Sequence, residues 1–250
     1  MWKTQSVQVV LPAYNEDKNV RVAIEDFLVS EYVDEVIVID NRSTDNTASE
    51  IKKTKAIYEY EDKLVTGSGY GSALTRGLKK TTADIVITCE PDGTFSAHDI
   101  LKLLAYSDDF DVVFGTRTAK VCIWDGANMY WLLRMGNVLV AKMMEYFFNG
   151  PCLTDAGCTL KLIKRKVLDQ IQPHFTVKKS HFQPEFMMLS MLHSRKVIEV
   201  PINYYERVGE SKVTGSFKKT VSLGLVMIVF IIWYRLNTFF KFKRRAKNEV

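Results

Sequence analysis

Residues 35–47 read EVIVIDNRSTDNT, and this stretch decides how the rest of the chain is read. Glu35–Ile39 is short, β-branched and apolar at its centre, the pattern of a strand buried on both faces. Asp40-Asn41-Arg42-Ser43-Thr44-Asp45 follows without a break, and residues 45–53 return to helical spacing. Strand, polar turn and helix together form the repeating unit of a parallel sheet. The same unit recurs on either side. Val7–Leu11 is a strand ended by Pro12, and residues 17–29 space Val20, Ile24, Phe27 and Leu28 as a helix does. Ala56–Tyr58 is a weaker strand, Ser72–Lys80 a helix, Asp84–Cys89 a strand, Ser96–Ala105 a helix and Asp111–Gly115 a fifth strand. Ser96 with Asp99 suits a capping box. The spacing predicts an α/β fold: a mainly parallel, Rossmann-like sheet with helices on both faces. Ligands of such sheets bind beyond the carboxyl ends of the strands.

The polar residues gather at those ends. Pro12-Ala13-Tyr14-Asn15-Glu16 follows strand one, and Asp40 to Asp45 follows strand two. Glu90-Pro91-Asp92-Gly93-Thr94 follows strand four, and Thr116-Arg117 follows strand five. One acidic turn is an ordinary helix cap or solvated loop. Four at successive strand ends point to a site. Glu90 and Asp92 place two carboxylates where a hard cation, Mg²⁺ or Mn²⁺, binds together with phosphate oxygens. Asp40 is placed to accept from a nucleobase or ribose donor, or to cap the next helix. Gly67-Ser68-Gly69-Tyr70-Gly71 misses the dinucleotide fingerprint, because Ser72 stands where a glycine is needed and the loop follows the third strand. It remains either a glycine turn or a close backbone approach to a ligand.

Composition limits the alternatives. The chain has 250 residues, 47% apolar and 25% charged, which excludes a disordered or disulfide-scaffold protein. The net charge of +5 is unevenly spread. Residues 1–211 hold 25 basic and 28 acidic residues, net −3, and residues 212–250 hold 9 and 1, net +8. The basic part is a tail, so it is no general sign of nucleic-acid binding. Cys89, Cys122, Cys152 and Cys158 form no CxxC pair and read as free thiols. His98, His174, His181 and His193 are scattered without ligand spacing. The N-terminus lacks a signal-peptide pattern, so the body is expected in the cytosol.

Residues 221–234, VSLGLVMIVFIIWY, carry no charge. As a helix this run spans about 21 Å, and an extension to Phe240 reaches about 30 Å, the thickness of a hydrocarbon core. From Leu223 to Trp233 it is apolar on every face, so it should be covered all round. The flanking Lys218, Lys219 and Lys241 to Lys247 favour contact with anionic headgroups over a plain core helix. Spanning and in-plane insertion stay open, as does self-association of so short a segment. Residues 126–148 form a second long apolar helical stretch, read either as packing or as a wall facing an apolar ligand.

PAYNE (12–16), VIDNRSTDNT (38–47), GYGSALTRGL (69–78), EPDGTF (90–95), GTR (115–117), LTDAGCTLKLIKRKVL (153–168) and VPINYYERVGESK (200–212) occur in an order that resembles the inverting family 2 glycosyltransferases with a GT-A fold. The set is most like the branch of dolichyl-phosphate mannose synthase and polyprenyl-phosphate glycosyltransferases. The resemblance implies that residues 1–212 are the catalytic domain and 213–250 a membrane-associating segment. It implies that Pro12, Ala13, Tyr14, Glu16, Asp40 and Gly69 hold the nucleoside of a nucleotide sugar. Glu90 and Asp92 would coordinate Mg²⁺ or Mn²⁺, and Asp155 would lie beside the acceptor. Arg117, Arg134, Arg207, Ser211 and Lys212 would bind phosphates. This sequence departs from the pattern in having Asn41 for a second aspartate, Glu90 for the first metal-binding aspartate, and Pro91 between the two carboxylates. The QxxRW motif of processive synthases is absent, which favours single-sugar transfer.

The expected activity is transfer of one sugar from a UDP- or GDP-sugar to a polyprenyl phosphate on the cytoplasmic face of a membrane. A phosphate acceptor is already anionic and needs little general-base help. Asp92 and Arg117 would then serve the leaving diphosphate. A hydroxyl acceptor would need a base, for which Asp155 is the candidate. A non-catalytic sugar-nucleotide-binding scaffold is the third reading.

Overall fold

The structure is a computed structural model that describes residues 1–62, 69–208 and 217–248. Seven strands form one sheet: β1 (Val7–Ala13), β2 (Glu35–Asp40), β3 (Ile57–Tyr60), β4 (Ile85–Thr88), β5 (Val112–Thr116), β6 (Lys161–Lys164) and β7 (Val197–Pro201). Their order is β3-β2-β1-β4-β6-β5-β7. Every pairing is parallel except those of β6, which runs antiparallel to both β4 and β5. The chain winds from β1 outward through β2 and β3, then resumes at β4 on the other side of β1. The crevice between β1 and β4 is therefore the topological switch point.

Alternation along the strands gives each face its own core. Val7, Val9 and Leu11 of β1 meet the helices α1 (Val20–Val29), α2 (Thr47–Lys52) and α4 (Ile100–Ser107). Val10 of β1, with Ile37 and Ile39 of β2, faces α3 (Tyr70–Lys80), α5 (Trp131–Phe148), α6 (Arg165–Ile171) and α7 (Phe182–His193). Strands buried on both faces, with helices on each side, are what the apolar runs predict.

The antiparallel β6 brings the site together. Thr88, at the end of β4, pairs with Lys161 at the start of β6. Residues 154–160 therefore lie at the same end of the sheet as the turns after β1, β2, β4 and β5. Strand β7 pairs in parallel with β5, Thr116 opposite Pro201, and delivers residues 202–208 to that end as well.

Three local expectations change. Ser96 Oγ accepts from His98 N as a cap should, but the Asp99 carboxylate does not return to Ser96. It accepts instead from Asn203 N and Nδ2, at 2.7 and 3.0 Å, tying α4 to the chain beyond β7. Helix α5 starts at Trp131 instead of 126, because Gly126 sits at φ 80°, outside helical backbone. The last helix, α8 (Phe217–Asn248), is not covered all round within the protein. Met227 and Ile231 join the core beside α5, while Leu225, Val229, Trp233 and Leu236 are exposed. Thr220–Thr238 is long and apolar enough to cross a membrane.

Candidate active site

Beyond the carboxyl ends of β1 and β2 the turns are bonded to each other. Asn15 N donates to Ser43 Oγ at 3.0 Å, Thr44 N donates to Asn15 Oδ1 at 2.8 Å, and Glu16 N donates to Thr47 Oγ1 at 2.8 Å. Asp40 Oδ1 accepts from Ser43 N and Oδ2 from Tyr58 OH. These bonds make a stiff platform. Burial, then the Asp40 charge and hydrogen bond, push the Tyr58 phenol up to about 12, so it stays a donor.

The turn after β4 carries Asp92, whose Oδ1 accepts from Thr94 N and Oγ1. Gly93 sits at φ 80°, which a side chain resists, so the turn depends on glycine. Arg207, brought in beyond β7, pairs through Nη1 with Asp92 Oδ2 at 3.1 Å and through Nη2 with Glu16 Oε1 at 3.3 Å. Burial, reinforced by the Asp92 charge, pushes the neighbouring Glu90 carboxyl up to about 8, against the opposing pull of Arg207 and Arg117. A carboxyl that burial and a neighbouring carboxylate make reluctant to ionise is one that a hard divalent ion would favour as the anion. Among the described residues no three His, Cys, Asp or Glu side chains converge into a cage. A cation here fits as a Mg²⁺-type ion does, on one or two carboxylates with phosphate oxygens and water completing its shell.

Across the crevice, Arg117 and Asp155 form a buried pair. Arg117 N and Nε donate to Asp155 Oδ2 at 3.0 and 2.8 Å, and Nη2 donates to Oδ1 at 2.9 Å. Gly157 N also donates to Oδ1. Burial alone would raise the Asp155 carboxyl, but the Arg117 charge and these hydrogen bonds outweigh it and hold it below the ordinary range. With both oxygens engaged, Asp155 holds Arg117 in place and is poorly suited to accept a proton. Glu199 in β7 supports the pair. Its carboxylate accepts from Thr154 N, Thr154 Oγ1 and Asp155 N, at 2.7, 2.7 and 3.0 Å.

One cavity of about 530 Å³ joins these parts. Pro12, Ala13, Tyr14, Glu16, Glu90, Asp92, Arg117 and Arg207 line its polar end, as the sequence led us to expect. Two side-chain atoms on its lining residues, Thr159 Oγ1 and Arg207 Nε, are buried without a hydrogen-bond partner. A polar ligand or ordered water in the cavity would satisfy them. The other end is apolar and runs between α5 and α8, past Leu132, Leu139, Val140, Leu223, Met227 and Ile228.

Several expected residues lie elsewhere. Asn41, and not Asp40, faces the cavity; Asp40 is buried beneath it, bracing the turn. Gly69 is not on the lining, and a Cβ there would meet Asn41 Oδ1 at 2.8 Å, so the glycine makes room for Asn41. Asp155 lies behind Arg117, off the cavity surface. Arg134 lines a separate hollow with Lys120, Trp124 and Trp131. Ser211 and Lys212 fall outside the described residues.

The sequence reading missed Glu199 and Lys161. Lys161 is fully buried, and its Nζ donates to Cys158 O and, at 2.6 Å, to Gln183 Oε1. Gln183 passes the chain on to Tyr70 OH, and Tyr70 lines the cavity. A lysine opening the short strand KLIK was the available signal.

An α/β sheet with carboxylates and arginines converging on its switch point defines a nucleotide-dependent transferase of the GT-A architecture. The chain belongs to glycosyl transferase family 2, whose family model matches residues 8–172. It is therefore a glycosyltransferase. Solved structures with the same fold include glucosyl-3-phosphoglycerate synthase from Mycobacterium tuberculosis in complex with Mn²⁺, UDP and phosphoglyceric acid. That structure is 19% identical with a TM-score of 0.67, and the match covers 93% of this chain and 78% of the other. The same synthase with phosphoglyceric acid alone is 18% identical with a TM-score of 0.68, covering 93% and 80%. A further mycobacterial protein is 18% identical with a TM-score of 0.68, covering 93% and 75%.

Proposed function

We propose that the chain transfers one sugar from a nucleoside-diphosphate sugar to a polyprenyl phosphate at the cytoplasmic face of a membrane. The observation that carries this reading is the two-ended cavity, polar at the strand ends and apolar between α5 and α8. Gly136 of α5 and Gly224 of α8 both line the apolar end, and a Cβ at either would meet nothing within 4 Å. Glycine inside a helix costs about 1 kcal/mol relative to alanine. Two such glycines leave an apolar slot open next to the charged site, and an isoprenoid chain is the occupant this reading assigns to it.

In this reading Pro12, Ala13, Tyr14, Glu16 and Asn41 cradle the nucleoside. Glu90 and Asp92 would hold a Mg²⁺ or Mn²⁺ ion, which when bound neutralises charge on the diphosphate. A uridine-diphosphate sugar is the first donor to test, since UDP-glucose and Mn²⁺ occupy a structural relative. Arg117, fixed by Asp155, and Arg207 orient phosphates. The acceptor phosphate oxygen attacks the anomeric carbon from the face opposite the diphosphate. The new C–O bond forms as the old one breaks, and the nucleoside diphosphate departs with inversion. A phosphate is already anionic at neutral pH, so the sequestered Asp155 is no obstacle.

A second reading is a small phosphorylated acceptor bearing a hydroxyl, because structural relatives bind phosphoglyceric acid. The test is a panel of nucleotide sugars offered with polyprenyl phosphate in detergent, and separately with 3-phosphoglycerate, with product mass measured. A polyprenyl-phosphate sugar is expected. Turnover on phosphoglycerate with none on the lipid would replace the first reading by the second.

A further inference from the structure

The hollow that holds Arg134 lies next to the apolar slot. Helix α5 separates them: Leu132, Leu133 and Gly136 line the slot, while Trp131 and Arg134 line the hollow with Lys120, Trp124, Asp125 and Gly126, two cations against one carboxylate. The rim of this hollow is unusually apolar for a surface. Val121 is 94% exposed, Trp131 73% and Trp124 54%, and Met135 is exposed on the same helix, while Tyr130 lines the slot. Their exposure is built in. Trp124 N donates to Tyr204 O at 3.0 Å, its indole Nε1 donates to Asn203 Oδ1, and its ring stacks on Tyr205 at 5.3 Å. Ile123 bridges to Tyr204. The loop is thus fastened to the chain leaving β7 and holds its apolar side chains outward. Lys120 and Arg134 make no ion pair among the described residues.

Tryptophan and tyrosine with intervening cations is the composition that sits best at a membrane's headgroup layer. A protein partner of ordinary surface character would leave these cations to be buried against it. We propose that residues 119–135 dock on an anionic lipid bilayer, with Val121, Trp124 and Trp131 entering the interface and Lys120 and Arg134 meeting phosphate headgroups. This extends the reading of the slot as a site for a lipid-borne acceptor. A loop docked there sets the slot beside the leaflet from which an acceptor would enter, and it acts alongside α8. It also gives Arg134 a phosphate to bind, though outside the catalytic cavity.

The experiment is hydrogen exchange on the full chain, without donor or acceptor, in phosphatidylcholine vesicles with and without roughly one third phosphatidylglycerol. The peptides over 119–135 should exchange about tenfold more slowly on the anionic vesicles. The combined Lys120→Glu, Val121→Ser, Trp131→Ser variant should lose that protection while residues 220–238 keep theirs. All three side chains are exposed, so folding is not at stake. In detergent, transfer to a short-chain polyprenyl phosphate should stay within about twofold of the parent, because the site is untouched. Unchanged exchange over 119–135 on either vesicle overturns the proposal. So does protection that follows protein concentration without lipid, which would assign the surface to a second copy. Protection on anionic vesicles without any transfer to polyprenyl phosphate would leave docking standing and sink the acceptor reading alone.

Discussion

The strand-end half of the cavity and the half between α5 and α8 are built on opposite principles. At the strand ends, the turns after β1 and β2 hydrogen-bond to each other, Arg207 ties the β4 turn to Glu16, and carboxylates and arginines stand already in position. Between the helices the lining is aliphatic, and two glycines leave space unfilled. A preorganised polar site spends no energy on reorganisation when charge moves, which suits the departing diphosphate. An open apolar slot recognises length and greasiness with little regard to shape, which suits a chain of repeating units. The two halves should therefore fail differently when mutated.

The strongest test strikes the polar half. Asp92→Ala removes a carboxylate that both orders its turn and faces the cavity. Transfer should fall by about 10²–10³, and Mn²⁺ titration by calorimetry should lose its signal. Activity near the parent level would remove Asp92 from the cation site. Next comes Asp155→Ala, which strands the buried Arg117 guanidinium. Loss of one partner of such a pair destabilises by about 3–5 kcal/mol, read as a lower urea midpoint. Asp155→Asn keeps the volume and separates the roles. If Asp155 is a positioning residue, acceptor KM rises more than kcat falls, and the basic and acidic limbs of the pH–rate profile stay where they were. A missing limb would restore it as a base.

The apolar half has its own signature. Gly136→Leu and Gly224→Leu together put side chains into the slot without meeting a wall. Acceptor KM should rise by roughly tenfold or more while nucleotide affinity holds, and the alanine versions should stabilise each helix by up to about 1 kcal/mol. An equal loss of nucleotide binding would break the division between the halves.

The halves also differed in how far the sequence disclosed them. Five strands and the turns after four of them follow from short β-branched runs such as Glu35–Ile39, and most of the residues named at those turns line the cavity. Local pattern governs there, because each turn lies next in sequence to the strand that positions it. Strands β6 and β7 escaped notice. KLIK has a lysine at each end and four residues in all, and its placement comes from pairing with β4 and β5. Glu199 reads as an ordinary charge in VIEVP until pairing with β5 brings it beneath Thr154. Asn41 lines the cavity and Asp40 lies beneath it for a reason no one-dimensional pattern holds. The Tyr58 hydroxyl, on the neighbouring strand, claims Asp40 from below. The slot belongs to two helices far apart in sequence, and its existence is a tertiary fact.

The smallest expected effect concerns Glu199, the brace behind Arg117 and Asp155. Burial is the main cause lifting its carboxyl from 4.5 to about 7, with the Asp155 charge acting the same way and the bonds from Thr154 and Asp155 acting against both. The charges that face it are those of Asp155 and Lys161. A carboxyl raised on folding binds a proton in the native state that the unfolded chain has already lost. Its contribution to stability is complete below about 4.5 and falls away as pH rises through about 7. Lys161, lowered by burial to about 8, works in the opposite direction at higher pH, so the clean window is pH 5 to 7.5. Across it the parent should lose about 2–4 °C of melting temperature relative to Glu199→Gln, which has no proton to exchange. Parallel melting curves would mean that Glu199 is ionised throughout and that the brace is insensitive to pH. Divergent curves, accompanied by a falling acceptor KM as Glu199 ionises, would show that the loop bearing Asp155 tightens its hold on Arg117 when its support carries charge.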